Sequence, residues 1–579
     1  MKIQLPIIVQ DPLTANLKEF NLTETHRFTD EQCADDFFLD GPVSRRIAVL
    51  DLTADNCALR PGAQFCPPAD PNEYGTYNVG GGLNWDNNRP DPKFIQVNAF
   101  ATVFLTMCMF EEKDVLGRRL RWAFDGTQLL VIPQAGIMKN AFYERDSHSL
   151  QLFWHRDPKT SKLIHAALNS DVIAHETAHA ILDGIAPDLY DAVTPQSLAL
   201  HEAIADLTAG IIAFRRPQLR RKVLDQTQST IDKDTAFSLI GESFGDDGQG
   251  YFRSLRSLNN DKTLDPDAVE KNRIDRCSPH SLSQVLSGAL YRVMIEMHED
   301  RKQRIGSEEN KTTSSASGKA LFVAAEQFKR MILRALDYLP PGEVSFADYA
   351  RAVLAADRAA HPDSGREREW LAKEFVARRI VPDRAALSVP CDYDDSCLQH
   401  IDLQTLVDDD WLAHEFAEEN RELLGIPAAI PFNVRPRLDV TKKSYQHNGW
   451  QDLRECIFKV SWQKEEDNPL GGRYPAKRRL TVGSTLVIDW QRKKILALLS
   501  SDSRMQQGEA AEQSNDRTNL LRWLAAEGLL TQNDGGLCSS ALKLSDRVCY
   551  SLTKNDMKVR GMGMMLHLIG DDKGGRRDE

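Results

Sequence analysis

Cysteine is scarce in this chain, ten in 579 residues, and no two form a Cys-x-x-Cys pair or a regular spacing. That argues against a disulfide-stapled scaffold or a thiolate zinc knot, and reduced thiols in a cytoplasmic protein are the expectation. There is no uninterrupted run of 18 apolar residues, so no membrane span is expected. The opening Met-Lys-Ile-Gln-Leu-Pro-Ile-Ile-Val-Gln has one lysine and an apolar stretch broken by Gln4 and Pro6, too little for a signal peptide. Basic residues fall short of acidic ones, 72 against 84, for a formal charge of −12. That sign argues against a nucleic-acid partner. Gly80, Gly81 and Gly82 stand in a row, but no Gly-Lys-Ser or Gly-Lys-Thr follows, which argues against a phosphate loop.

What is present is an ordinary globular composition, 41% hydrophobic and 27% charged, in a chain too long for one core. The informative stretch is His175-Glu176-Thr177-Ala178-His179. Asn169 or Ser170 is expected to cap a helix before it, and Gly184 to end that helix in a left-handed turn. Residues four apart share a helix face, so His175 and His179 point the same way and can grip one metal ion. Glu176 is turned by about 100°, so it flanks the ion without binding it. Two neutral imidazoles, an open position for water and a carboxylate beside it make up a zinc hydrolase site.

A third ligand comes from the next helix, capped by Thr194 with Pro195 in its first turn. Glu202 and Asp206 are four apart on one face, among Leu198, Leu200, Ala203, Ile204 and Leu207. That is a poor place for solvated charge. Glu202 completes a His-His-Glu set for one zinc ion, and Asp206 is expected to accept the free ring N–H of a ligand histidine. His201, beside Glu202, projects away and is not expected to bind the ion.

HExxH followed by ExxxD on the next helix resembles the gluzincin metallopeptidases, and the flanking residues resemble the thermolysin family. Asp171-Val172-Ile173-Ala174 with the pentad is similar to that family's active-site helix, and His201-Glu202-Ala203-Ile204-Ala205-Asp206 to its second motif. The likeness extends over about residues 90–385. It implies roles for further residues. Asn140 and Ala141, in Asn-Ala-Phe-Tyr, match the edge strand that binds substrate backbone. Tyr190 matches an oxyanion-stabilising tyrosine, Arg256 an arginine that binds a substrate carbonyl, and His280 a catalytic histidine at a helix start. The stretch from His179 to Glu202 is three residues longer than the family's. Asp171 matches a calcium ligand, but Ala213 stands where its partner carboxylate should be, so the resemblance does not carry calcium with it.

The expected fold is α+β: a thermolysin-like unit with a β-rich lobe, a helical lobe and zinc in the cleft. The expected division is an N-terminal segment (1–89), the β-rich lobe with the metal helix (90–205), the helical lobe (206–385), a linker (386–438) and a separate small β or α+β C-terminal domain (439–579). Residues 301–319 read as a polar surface loop and 509–515 as solvated linker. The implied activity is zinc-dependent endopeptidase cleavage of a polypeptide, with Glu176 as general base. Two alternatives stand beside it. Gly136-Ile137-Met138-Lys139-Asn140 resembles an aminopeptidase motif, but Lys139 replaces the glutamate that holds the substrate's amine. The other is a zinc-bearing scaffold or effector without relevant proteolysis.

Overall fold

The structure is a computed structural model. It describes residues 1–10, 23–53, 58–82, 90–156, 161, 163–241, 255–309, 313–363, 365–446, 449–472, 474–502, 509–528, 530–532, 548–553 and 556–560. It is mixed α+β, with 12 helices among the described residues and several small sheets.

The chain opens on β1 (Ile3–Ile8), paired antiparallel with β2 (Thr23–Phe28). Ile3, Leu5 and Ile7 are buried while Gln4 and Pro6 face the other way, the period of a half-buried strand. What reads in sequence as a broken apolar stretch is therefore a packed strand. It lies against α1 (Pro92–Glu111), where Ile8 N–H donates to Asn98 Oδ1 at 2.8 Å. Next come β3 (Ile47–Val49) and the ribbon β4 (Phe65–Cys66) with β5 (Thr76–Tyr77). After α1 follow β6 (Leu129–Ile132), β7 (Ala141–Glu144) and β8 (Ser149–Leu152). These build a four-stranded sheet in the order β3-β6-β8-β7, parallel except for β7, an edge strand antiparallel to β8. A second ribbon, β9 (Trp154–Arg156) with β10 (Leu163–His165), leads into α2 (Ser170–Ile185), which carries the candidate metal ligands His175 and His179.

After α2 the chain is largely helical: α3 (Pro195–Phe214), α4 (Pro217–Gln226), the short hairpin β11 (Leu239–Ile240) and β12 (Arg256–Ser257), then α5 (Pro279–Glu308), α6 (Thr313–Arg334), α7 (Phe346–Ala360) and α8 (Arg366–Ala377). Helices α1 and α3 are long and apolar enough, by length and composition, to cross a membrane; 94% and 100% of those stretches are buried inside the protein. A helix that is apolar all round is what the centre of a large core takes.

Three expectations are corrected. Gly184 does not end α2, which runs on to Ile185; a methyl group on Gly184 would strike the carbonyl of Arg121, so close approach is what requires glycine there. Residues 301–308 and 313–319 are not loop but the last turns of α5 and the first turns of α6; Lys302 and Ile305 are buried, and Arg304 pairs with Asp300 one turn back at 2.8 Å. Residues 509–515 begin α12 (Glu509–Ala526) rather than a linker.

Three short helices, α9 (Leu403–Asp408), α10 (Asp410–Glu419) and α11 (Arg421–Leu424), precede the C-terminal sheet. Its spine is β15 (Gly449–Asp467) against β16 (Lys477–Asp489), flanked by β13 (Phe432–Val434), β14 (Leu438–Gln446) and β17 (Lys494–Ser500). Beyond them β18 (Leu530–Gln532), β19 (Val548–Thr553) and β20 (Asp556–Arg560) extend the sheet, β20 joining β16 in parallel. Two cores meet on it. Phe416, Leu424, Phe458 and Trp462 belong to one; Val440, Ile457, Val487 and Leu499 belong to the same core as α2. Buried charges tie the sheet to the helices. Arg334 donates to Glu455, Tyr338 Oη donates to Glu455 at 3.0 Å, and Lys442 and Arg118 both reach Asp337 at 2.8 Å. Cys391 and Cys397 are free thiols. The charged tail read at 571–579 lies outside the described residues.

Candidate metal centre

Helix α2 starts at Asn169, whose Oδ1 accepts from the N–H of Asp171 at 3.0 Å and of Val172 at 3.1 Å. The N-terminal strand holds the same turn: Ser170 Oγ donates to the Ile8 carbonyl, and Gln10 Nε2 donates to Asp171 Oδ2 at 3.0 Å. Four residues apart on this buried helix, His175 and His179 bring their Nε2 atoms to 3.0 Å. Helix α3, packed alongside, supplies Glu202, with one oxygen 3.5 Å from each ring.

The two ring nitrogens lie 3.0 Å apart, and each is 3.5 Å from a different Glu202 oxygen, His175 Nε2 from Oε2 and His179 Nε2 from Oε1. A tetrahedral zinc with donors at about 2.0–2.1 Å spaces them by about 3.3 Å. The Glu202 carboxylate is fully buried, and among the described residues neither oxygen accepts a hydrogen bond in proper geometry. His280 Nε2 at 3.3 Å and Arg256 Nη2 at 3.7 Å offset part of this buried charge, and a cation among the three side chains would offset more of it. The residues present fit a metal ion; the geometry alone does not name the element.

The surrounding contacts orient the rings. His175 Nδ1 lies 2.9 Å from Asp206 Oδ1, and Asp206 is gripped by Arg256 through Nε at 2.7 Å and Nη2 at 2.8 Å. Burial works against a charged His175, yet the Asp206 and Glu202 carboxylates raise it to about 10. A metal ion must displace that proton. Burial also opposes charge on Glu202, but the rings of His280, His179 and His175 hold its carboxyl well below the ordinary range.

His201 is the residue sequence reading undervalued. It does not face the ion position, as expected, but its Nδ1 lies 2.7 Å from His179 Nδ1 and its ring stacks on that of His179 at 4.9 Å. Burial lowers its pKa to about 3, so it stays neutral and can accept the His179 N–H, fixing the tautomer that leaves Nε2 for metal. The signal was available: the position before Glu202 projects about 100° away, which is towards the back of the other ligand ring.

Glu176 is buried beside this set, its Oε2 accepting the backbone N–H of Tyr143 at 3.1 Å. Burial first, and the nearby Glu202 charge after it, push its carboxyl up to about 8. Tyr143 lies on edge strand β7, and its carbonyl accepts from Tyr190 Oη at 3.3 Å. Ala141, two residues back on the same strand, pairs with Leu152 of β8. Asn140 Oδ1 accepts the Ala141 N–H at 2.8 Å. Tyr190 is buried under Arg145, whose guanidinium sits 4.5 Å over the ring and also pairs with Asp183 and Asp191. His280, in the first turn of α5 behind its cap Ser278, places Nε2 3.3 Å from Glu202 Oε2. Of the residues singled out in the sequence, His175, His179, Glu202, Asp206, Arg256 and His280 are joined by direct contacts, and Glu176 and Tyr190 meet at Tyr143 on β7, with Ala141 on that strand and Asn140 just before it.

A second acidic group, Glu112, Asp114 and Glu326, is close enough to hold an ion. Lys329 already reaches all three, Arg215 pairs with both glutamates and Arg330 with Asp114. Three acids are balanced by three bases, so nothing there calls for a metal.

In comparisons with known proteins, no family model and no curated sequence matches this chain.

Proposed function

We propose that the chain is a zinc-dependent metalloendopeptidase of the thermolysin-like kind. The observation that carries the reading is the buried convergence of His175, His179 and Glu202 on one point, with Glu176 held alongside it. His175, His179 and Glu202 would hold the zinc, which supplies Lewis acidity and draws the pKa of water down to about 7. Glu176, fixed by the Tyr143 N–H, takes the proton of the attacking water and returns it to the leaving amine. Tyr190 and His280 donate to the oxyanion as it forms, each worth about 2.7–4 kcal/mol of barrier by precedent. The open edge of β7 receives the substrate as an added strand through Asn140 and the Ala141 carbonyl. Arg256 braces Asp206 and through it His175, with its guanidinium beside the substrate path.

Lys139 is exposed at the mouth of that edge and repels a free amine, which favours cleavage within a chain over removal of its first residue. The test is digestion of an N-terminally blocked peptide library by zinc-loaded and chelated protein. Cleavage that needs the metal supports the reading. Cleavage of unblocked peptides alone supports an aminopeptidase, and no cleavage by protein carrying one zinc per chain supports a scaffold.

A further inference from the structure

The two oxyanion donors come from segments far apart in the chain. Tyr190 sits in the connection between α2 and α3; His280 opens α5. Something must keep these segments in register, because a misplacement of about 1 Å in such a site costs about a hundredfold in rate.

Helix α12, from the C-terminal region, touches both. On one side Asp516 accepts from Arg276, four residues before His280, at 3.0 Å from Nη2 and 3.3 Å from Nε. On the other, Arg517 Nε donates to Thr194 Oγ1 at 3.0 Å and pairs with Glu343 at 3.2 Å. Thr194 is the N-cap of α3, four residues after Tyr190, and its hydroxyl is directed at Glu343 instead of its own helix. Glu343 also accepts the Val193 N–H at 3.1 Å. Arg517 Nη1 reaches Glu466 on β15 at 2.5 Å, anchoring α12 to the C-terminal sheet. Beneath these charges Leu520, Leu521 and Leu524 pack on Ala192, Val193 and Leu198, all buried. Arg517 and Glu343 are almost wholly buried, so these are not loose surface pairs.

We infer that Asp516 and Arg517 are positioning residues, through which α12 braces the Tyr190 and His280 segments into one oxyanion site. The role rests on the peptidase reading, and it gives the C-terminal region a part in the reaction that no motif in it announces. It also accounts for the long His179-to-Glu202 connection, since residues 192–194 are the ones that meet the helix.

The test uses the full-length zinc-loaded protein with Asp516→Asn and Arg517→Met, each near its parent in volume. Hydrogen exchange is followed by mass spectrometry, alongside kcat, KM and zinc content. The expected result is faster exchange in peptides covering 186–194 and 274–282 and unchanged exchange in the metal helix. Zinc stays at one per chain, kcat falls about ten- to a hundredfold, and KM stays within about twofold. Unchanged exchange in both segments overturns the brace, whether or not the wild type cleaves peptides. Faster exchange with wild-type kcat overturns its catalytic importance. A variant whose exchange rises everywhere is replaced by Asp516→Glu, for which the same local pattern, weaker, is expected; wild-type exchange in both segments with kcat still lowered overturns the brace.

Discussion

Replacing Glu176 by Gln is the perturbation that separates chemistry from architecture. The amide has nearly the shape of the carboxylate, and its oxygen can still accept the Tyr143 N–H that holds Glu176 at 3.1 Å. The ligands His175, His179 and Glu202 are untouched, so one metal per chain is expected. What is lost is the proton acceptor, a loss of about a hundred- to ten-thousandfold in turnover. Stability moves the other way. Burial raises the Glu176 carboxyl from 4.5 to about 8. A carboxyl with a raised folded value costs the fold nothing at low pH, and the cost grows as pH rises from the unfolded towards the folded value. For the metal-free protein the variant is therefore more stable by on the order of 3 kcal/mol at pH 7 and by under about 1 kcal/mol at pH 5. Thermal or urea unfolding of chelated wild type and variant at both pH values reads this difference, and peptide turnover with elemental analysis reads the rest. Wild-type turnover in the variant would remove Glu176 from its role. A variant that loses its zinc, or is less stable at pH 7, would refute the placement of that side chain.

His201→Phe removes the acceptor behind His179 and is expected to weaken zinc binding about ten- to a hundredfold in competition with a chelator, whereas His201→Asn keeps an acceptor and loses less. Equal affinity in wild type and His201→Phe would show that the contact does not orient the ligand. Burial lowers His26 to about 3, with Arg216 assisting, and His165 and His298 to about 4. Their folded values lie below the unfolded one, so they favour the fold above about pH 6.5 and that advantage is lost as pH falls towards 4, on the order of 1–2 kcal/mol each by pH 5. Urea midpoints that do not fall between pH 7.5 and 5 would contradict it. Arg334→Met leaves the buried Glu455 short of its main partner and should cost about 3 kcal/mol in chemical denaturation; a change under about 0.5 kcal/mol would show the sheet is held by apolar contacts alone.

Legibility in the sequence followed the range of the interaction. Where one helix turn fixes the geometry, residue identities were enough: His175 and His179 meet because they are four apart, and Asp206 lies behind His175 because it is one turn beyond Glu202. Edge strand β7 was visible in the Asn-Ala-Phe-Tyr run. The first strand was not, because Pro6 and Gln4 disguise a period of two that only the buried Ile3, Leu5 and Ile7 reveal. The end of α5 was misread because a polar, serine-containing stretch resembles a loop until the burial of Lys302 and Ile305 is known.

The features that stayed hidden share a physical cause. Glu176 is held by a backbone N–H, which every residue but proline carries and no residue type announces. The first turn of α2 is secured by Gln10 and the Ile8 carbonyl, some 160 residues away. Arg517 reaches Thr194 across 323 positions. Each contact is made by an ordinary polar group that gains meaning only when the fold delivers it. A local motif is therefore enough to suggest the ligands and the base. Whether those groups act depends on partners whose identities are common and whose positions are long-range, and so the Tyr143 edge, His201 and α12 are where substitutions should alter the reaction without touching the motif.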